Sequence, residues 1–253
     1  MMRNKMNTRG FTLIEIVIVL VISAILATVA MRSAFFISET AKEEETKQEL
    51  EMLQFAIVGN PLLYNDNTRS DFGYVGDVGS MPPDLDALFA NPGGYATWNG
   101  PYIRRRFEQD PDGYKKDAWG IAYAYGGNSL TSSGSGSNIV REFGTSLNDF
   151  LVNGVDGVLL DFDGTPPGTV YRDSILVRLT FPNGSGGYSS LVTQPDIGGF
   201  FSFESVPIGN HDIEIVYGPT NDTIRRFVSI VPNSRHYGEY FLSQNVWYDT
   251  TGS

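Results

Sequence analysis

The chain has 253 residues, with 18 Lys and Arg against 29 Asp and Glu, for a formal charge of −11. That acidic balance argues against a nucleic-acid binder, whose footprint is basic. Cysteine is absent, which excludes disulfides, thiolate metal sites and cysteine nucleophiles, and 28 Gly, 16 Phe and 13 Tyr suit a β-rich body with many turns.

Residues 11–31 read FTLIEIVIVLVISAILATVAM, with Glu15 as the single charge. A helix of that length spans roughly 32 Å, about one hydrocarbon core. The preceding ten residues carry Arg3, Lys5 and Arg9 and no acid. Positive charge on that side predicts a cytoplasmic N-terminus and an exported body. A secretory signal peptide has a shorter apolar core, followed by small residues at its cleavage site. Here the small residue, Gly10, comes before the apolar run. A plain anchor explains the hydrophobicity but not Glu15, because a carboxylate in a membrane helix is costly and marks function.

The run Arg9-Gly10-Phe11-Thr12-Leu13-Ile14-Glu15 resembles the processing site of type IV pilins and type II secretion pseudopilins. The resemblance implies that a membrane aspartic protease, the prepilin peptidase/methyltransferase, cuts after Gly10 and that the new Phe11 amine is N-methylated. The chemistry fits the spacing. Gly10 leaves the peptide bond unobstructed, and the freed amine lies one helical turn from Glu15. A carboxylate near a helix N-terminus is favoured by the dipole. In a filament of such helices, Glu15 pairs with the Phe11 amine of a neighbour and sets the stagger between subunits, since a mismatched buried charge is costly. Loss of the leader takes the chain from −11 to −14.

The helical pattern continues past Arg32. Residues 39–51 are strong helix formers without Gly or Pro. Ala41, Leu50, Leu53 and Ile57 are spaced to share a stripe, and Glu43–Lys47 is an i,i+4 pair. The acidic run 43–45 reads as a solvated face. Gly59-Asn60-Pro61 is expected to end the helix. Residues 59–125 form a polar, aromatic region, with a short helix expected after Pro82 or Pro83. From Asp117 to Tyr125 the alternation predicts a strand with Trp119, Ile121, Tyr123 and Tyr125 on one face. Asn91-Pro92-Gly93-Gly94, Trp98-Asn99-Gly100-Pro101-Tyr102 and Asp117-Ala118-Trp119-Gly120 resemble the core of the major pseudopilin, with Ala118 where Pro is usual. The aromatics then pack the sheet on the helix, and a sugar contact by Trp98 or Trp119 is the alternative. Arg104-Arg105-Arg106 is the dense basic cluster outside the leader. It is read as pairing with acidic neighbours within or between subunits.

The major pseudopilin usually ends soon afterwards, in a calcium-binding loop. Here residues 126–137 read GGNSLTSSGSGS, a flexible linker by composition, and residues 126–150 are assigned to linker and connection. Residues 151–250 then alternate as strands. Val158, Leu160 and Phe162 form the first set, and Ile175, Val177, Leu179 and Phe181 the second. Phe201 and Phe203, then Ile213, Ile215 and Tyr217, then Val228 and Ile230, and finally Tyr240 and Leu242 complete it. This spacing predicts an antiparallel β-sandwich. Gly199-Phe200-Phe201 through Val206-Pro207-Ile208-Gly209 to Ile213 resembles a carboxypeptidase-regulatory-like domain, with His211 where Tyr is usual. That resemblance implies an accessory domain without catalysis. Asp156, Asp161 and Asp163, on Asp/Gly turns, are candidate calcium ligands, although such turns also form without metal. His211 and His236 are metal ligands only if folding joins them.

The expected fold class is therefore α+β. It consists of a leader (1–10), a long helix with an assembly half (11–31) and an amphipathic half (32–58), a pseudopilin core (59–125) and an added sandwich. No catalytic motif is recognisable, so an enzyme is not expected. No cofactor is expected apart from calcium. The resemblance implies a pseudopilin of a type II secretion system, inserted once in the inner membrane with its body periplasmic. Its partners would be identical and related subunits and the inner-membrane assembly platform. A minor type IV pilin and a membrane-tethered binding module are the alternatives.

Overall fold

The computed structural model describes residues 12–103 and 112–247. The leader, Gly10, Phe11 and the cluster Arg104-Arg105-Arg106 lie outside the described residues.

Helix α1 runs Leu13–Val58, 46 residues, or roughly 69 Å at 1.5 Å per residue. It stops where the sequence punctuates it. Gly59 takes φ +80°, and its amide donates to Phe55 O at 2.8 Å. A side chain there would run into the Asp71–Phe72 backbone, so the position needs glycine for both conformation and space. The buried stripe of the outer half is Thr46, Leu50, Leu53, Ala56 and Ile57. Ala41 is exposed, so the stripe begins one turn later than its spacing predicts.

A small hairpin, β1 (Tyr64–Asn65) and β2 (Thr68–Arg69), leads to helix α2 (Gly73–Val78). Arg69 is buried and donates to Val58 O at 2.7 Å, closing an orphan carbonyl at the end of α1, and to Asp71 O at 2.8 Å. The expected short helix is a 3₁₀ turn, Leu85–Leu88, capped by Asp84, whose Oδ1 accepts from Ala87 N at 3.0 Å.

The expected strand 117–125 survives only as β3, Ala124–Tyr125. Asp117 diverts the rest. Its Oδ1 accepts from the amides of Trp119 (3.0 Å) and Ile121 (2.9 Å), so the chain turns where alternation suggested extension. The Gly/Ser-rich stretch also differs from its reading as a linker. It contains β4 (Ser129–Ser132), which pairs antiparallel with β3 and with β5 (Ile139–Glu142). Leu130 is buried in the core, and Asp117 Oδ2 accepts from Ser132 Oγ at 2.6 Å and Gly134 N at 3.0 Å. One buried apolar side chain and one buried carboxylate convert a flexible composition into sheet.

Helix α3 (Asn148–Leu151), whose Phe150 is buried in the α1 core, leads into the sandwich. Strand β6 (Asn153–Leu160) and helix α4 (Gly168–Tyr171) follow. Then come β7 (Ile175–Pro182), β8 (Tyr188–Thr193), β9 (Phe200–Val206), β10 (Gly209–Tyr217), β11 (Asp222–Ile230) and β12 (Arg235–Phe241). One sheet has the order β11-β10-β7-β8 and the other β12-β6-β9. β12 runs parallel to β6, a departure from an all-antiparallel arrangement. The core takes Ile175, Val177, Leu179, Phe201, Phe203, Ile213, Ile215, Tyr217, Val228, Ile230, Tyr240 and Leu242, as the alternation predicts. Strand β6 is the exception. Val155 and Leu159 face inward, and Phe162 is exposed. Gly157 shares the inward face because the Phe201 ring occupies the space of its missing side chain.

The sandwich is docked on the helix-and-sheet core rather than tethered to it. Gly184 N donates to Val78 O at 2.8 Å, Ala96 N to Gly186 O at 2.9 Å, and Ile208 N to Phe150 O at 2.8 Å. Ile208, at the β9–β10 connection, is buried in the α1 core.

Candidate functional site

The N-terminus of α1 is built by a capping box. Thr12 is extended at φ −76°, ψ 151°, and its Oγ1 accepts from Glu15 N at 3.4 Å. Glu15 Oε2 in turn accepts from Thr12 N at 3.3 Å. The T-x-x-E spacing is the sequence signature of this motif, and it satisfies two donors that a helix start leaves orphaned. Glu15 therefore holds the first turn of its own helix, in the position where the sequence resemblance places the assembly residue.

Beyond the cap, α1 is apolar and bare. Leu13, Ile14, Ile16 through Ile22, Ile25, Leu26, Val29, Met31 and Phe35 through Ile37 are all exposed. The helix is long and apolar enough to cross a membrane, and its most apolar window has no residue buried against the body. Two threonine hydroxyls along this stretch are closed internally. Thr28 Oγ1 donates to Ala24 O at 2.9 Å, and Thr40 Oγ1 to Phe36 O at 3.0 Å, as a low-dielectric surround requires.

The outer half is bound to the body by its acids. Glu39 accepts from Trp119 Nε1 at 2.8 Å, which with Lys42 holds its carboxyl below the usual range despite the opposing effect of desolvation. Glu49 accepts from Tyr123 OH at 2.7 Å. Arg141 of β5 reaches Glu51 at 3.0 Å and Gln54 at 2.5 Å. The run 43–45 does face solvent, with Glu43 paired to Lys47 at 2.6 Å. Sequence reasoning missed the body-binding acids because their partners lie 74 to 90 positions away along the chain.

The candidate calcium ligands are not gathered. Asp156 is tied to Arg235 at 2.6 Å, and the same guanidinium bonds Glu204. Asp161 and Asp163 do meet. Asp161 is fully buried with Oδ2 unpartnered, and burial, with the Asp163 carboxyl beside it, pushes its carboxyl up. Asp163 is held down by its bonds with Thr165 and Asp161. The turn closes on protein donors, with Thr165 N to Asp163 Oδ1 (3.1 Å) and Asn245 Nδ2 to Asp163 Oδ2 (3.0 Å). Among the described residues no group of three or more His, Cys, Asp or Glu is placed to hold a metal. The two histidines likewise stay apart. His211 is buried on β10, with Nε2 2.7 Å from Pro207 O, and His236 lies on β12.

The tryptophans of the core pack as structural residues. Trp98 Nε1 donates to Ala87 O at 2.8 Å, and its ring meets Tyr102 edge-on at 5.7 Å. Tyr102 also meets Tyr74 edge-on, and the Tyr74 hydroxyl, enclosed by the core, is pushed up to about 12 by burial.

Comparison with known proteins gives one family model, the prokaryotic N-terminal methylation motif, matching residues 5–31. No curated protein matches. Among solved structures, a DUF3823 family protein from Parabacteroides merdae matches at 12% identity, over 37% of this chain and 46% of its own length, with a TM-score of 0.29. The dioxygenase domain of a dioxygenase carbohydrate-binding protein fusion from Streptomyces sp. SirexAA-E matches at 11% identity, over 40% and 85%, with a TM-score of 0.30. The major pilin subunit of Bacillus cereus matches at 11% identity, over 45% and 36%, with a TM-score of 0.25. This chain thus spans less than half the length of the first of these structures. The methylation motif, the long apolar helix that follows it and the β-rich body together make the chain type IV pilin-like at its N-terminus.

Proposed function

We propose that the protein is a non-catalytic structural subunit, a pseudopilin of a type II secretion system, which assembles through α1 into a periplasmic filament. The observation that carries this reading is the methylation motif joined to a capped helix whose first half is apolar and touches nothing in its own body. Such a helix has two available surroundings: lipid before assembly, and neighbouring copies of the same helix afterwards. The processing enzyme is the prepilin peptidase. The other partners are sister subunits and the inner-membrane platform. The chain crosses the inner membrane once, body outward. A minor type IV pilin is favoured over a major subunit by one feature, the docked sandwich, which enlarges every copy and suits a low-copy position.

N-terminal mass analysis of the native protein tests the processing step. The expected product begins at an N-methylated Phe11, and an intact Met1 or cleavage elsewhere refutes it. Glu15→Ala is expected to insert in the membrane at wild-type level and to yield no filaments. Normal filaments from that variant would remove Glu15 from assembly.

A further inference from the structure

An open cleft of about 370 Å³ lies where the sandwich meets the helix-and-sheet core, within the ligand-pocket range of about 300–1,000 Å³. Its floor is the outer face of the β11-β10-β7-β8 sheet. Strand register sets Phe227, Asp212, Thr180 and Ser190 in one row across it, with Thr180 Oγ1 and Ser190 Oγ 2.9 Å apart. Tyr188, opposite Pro182, stands at the far edge of the next row. The wall is Gly76 and Asp77 of α2 with the loop Ala96–Asn99. A relay fixes Asp77 there: Asn99 N donates to Tyr102 OH at 3.1 Å, and Tyr102 OH donates to Asp77 Oδ2 at 2.8 Å.

Among the described residues the lining contains two carboxylates, side-chain amides and hydroxyls, and no lysine or arginine. One lining residue is nine-tenths buried and carries an unpartnered polar atom: Thr97, 7% exposed, at Oγ1. Unsatisfied buried polar atoms are rare and call for an explanation. Phe227 and Tyr188 are 80% and 66% exposed, aromatic faces with nothing upon them. They stand on strands three spacings apart, roughly 14 Å.

We propose that this cleft binds a neutral saccharide. An acceptor-rich lining selects a ligand rich in O–H donors. Aromatic faces carry negative charge density and attract the C–H faces of a sugar ring. An anionic ligand would meet Asp77 and Asp212 in the lining itself. A simple cation would satisfy Asp212 but leave the amides and hydroxyls unused, and Asp77 already has the Tyr102 hydroxyl. The next row on the same face, Arg225–Glu214–Arg178, sets two guanidiniums on one carboxylate, with Glu214 2.6 Å from Arg225 and 2.9 Å from Arg178, so its one excess positive charge lies beside the lining rather than within it.

The test uses the full chain in a polyoxyethylene detergent, because alkyl-glycoside detergents carry the ligand chemistry in question. Cellohexaose, chitohexaose, xylohexaose and mannohexaose are titrated by calorimetry, with a hexalysine peptide as the cationic control. At least one oligosaccharide is expected to bind saturably and independently of salt. Phe227→Ala and Tyr188→Ala, both at exposed positions, should each weaken it roughly tenfold with unchanged melting temperature, and Asp212→Asn should weaken it too. Absence of binding across the four sugars overturns the proposal, as does binding indifferent to Phe227 and Tyr188. Salt-sensitive binding of hexalysine in preference to every sugar assigns the cleft to cations instead.

Discussion

The two halves of α1 share one backbone and opposite surroundings. Leu20, in the inner half, is 63% exposed, and Leu50, in the outer half, is 1% exposed. Both are leucines in good helical geometry, so propensity does not separate them. What separates them is the body: β3–β5, α2 and the aromatic loops cover the outer half and stop short of the inner one. The difference teaches that the outer half folds this protein, while the inner half is reserved for lipid or for other chains. Truncating each leucine breaks that comparison or sharpens it. Leu50→Ala removes buried contacts and should cost about 2–5 kcal/mol of body stability. Leu20→Ala should leave the body within about 0.5 kcal/mol. Denaturant unfolding in detergent, followed by tryptophan fluorescence, measures both. Equal losses would mean that the inner half packs on the body after all.

The next effect in size concerns how the body grips the outer half. Asp117 is buried and accepts four hydrogen bonds, from Trp119 N, Ile121 N, Ser132 Oγ and Gly134 N. It joins the turn before β3 to the end of β4. The turn itself reaches the helix through Ala118 N, which donates to Thr46 Oγ1 at 3.2 Å. Asp117→Ala leaves three backbone amides to find new partners and should cost about 3 kcal/mol. Hydrogen exchange should show the loss concentrated in residues 117–134 and the adjoining turns of α1. A loss below about 0.5 kcal/mol would show that the Gly/Ser stretch is held by Leu130 alone.

These same residues show what sequence reading reaches. The helix and its stop at Gly59, the T-x-x-E cap and most sandwich strands are legible, because each is written in local spacing. The turn at Asp117 is not, since a side chain that captures nearby amides leaves the alternation of its neighbours unchanged. The fate of 126–137 depends on Asp117 and on Leu130, one apolar residue among glycines and serines. On and just after β6, Val158, Leu160 and Phe162 alternate as convincingly as Val155 and Leu159, and the inward face is settled by where the Phe201 ring lies over Gly157. The acids that clamp α1 find partners through tertiary folding. The cleft is less legible still, because its residues come from several separate segments, none of which carries a motif.

The smallest expected effect is a pH dependence that separates the sandwich from the helical core. His211 sits at the junction, against Phe181 at 6.0 Å. Burial lowers its affinity for a proton, opposed by the Pro207 carbonyl and the Asp212 charge. Its folded value therefore lies below the ordinary 6.5, and between the two values the unfolded chain binds the extra proton. Stability is then complete above that ordinary value and is lost as pH falls through the folded one. His236, also lowered by burial, contributes in the same direction. His211→Phe keeps a ring against Phe181 and gives up the Pro207 bond, at about 1 kcal/mol above pH 7. Because the variant no longer loses stability through this group on acidification, its melting temperature should approach that of the wild type between pH 7 and pH 5. Parallel melting curves across that interval would show that protonation of His211 is not coupled to unfolding, and the acid sensitivity of the sandwich would then rest on His236.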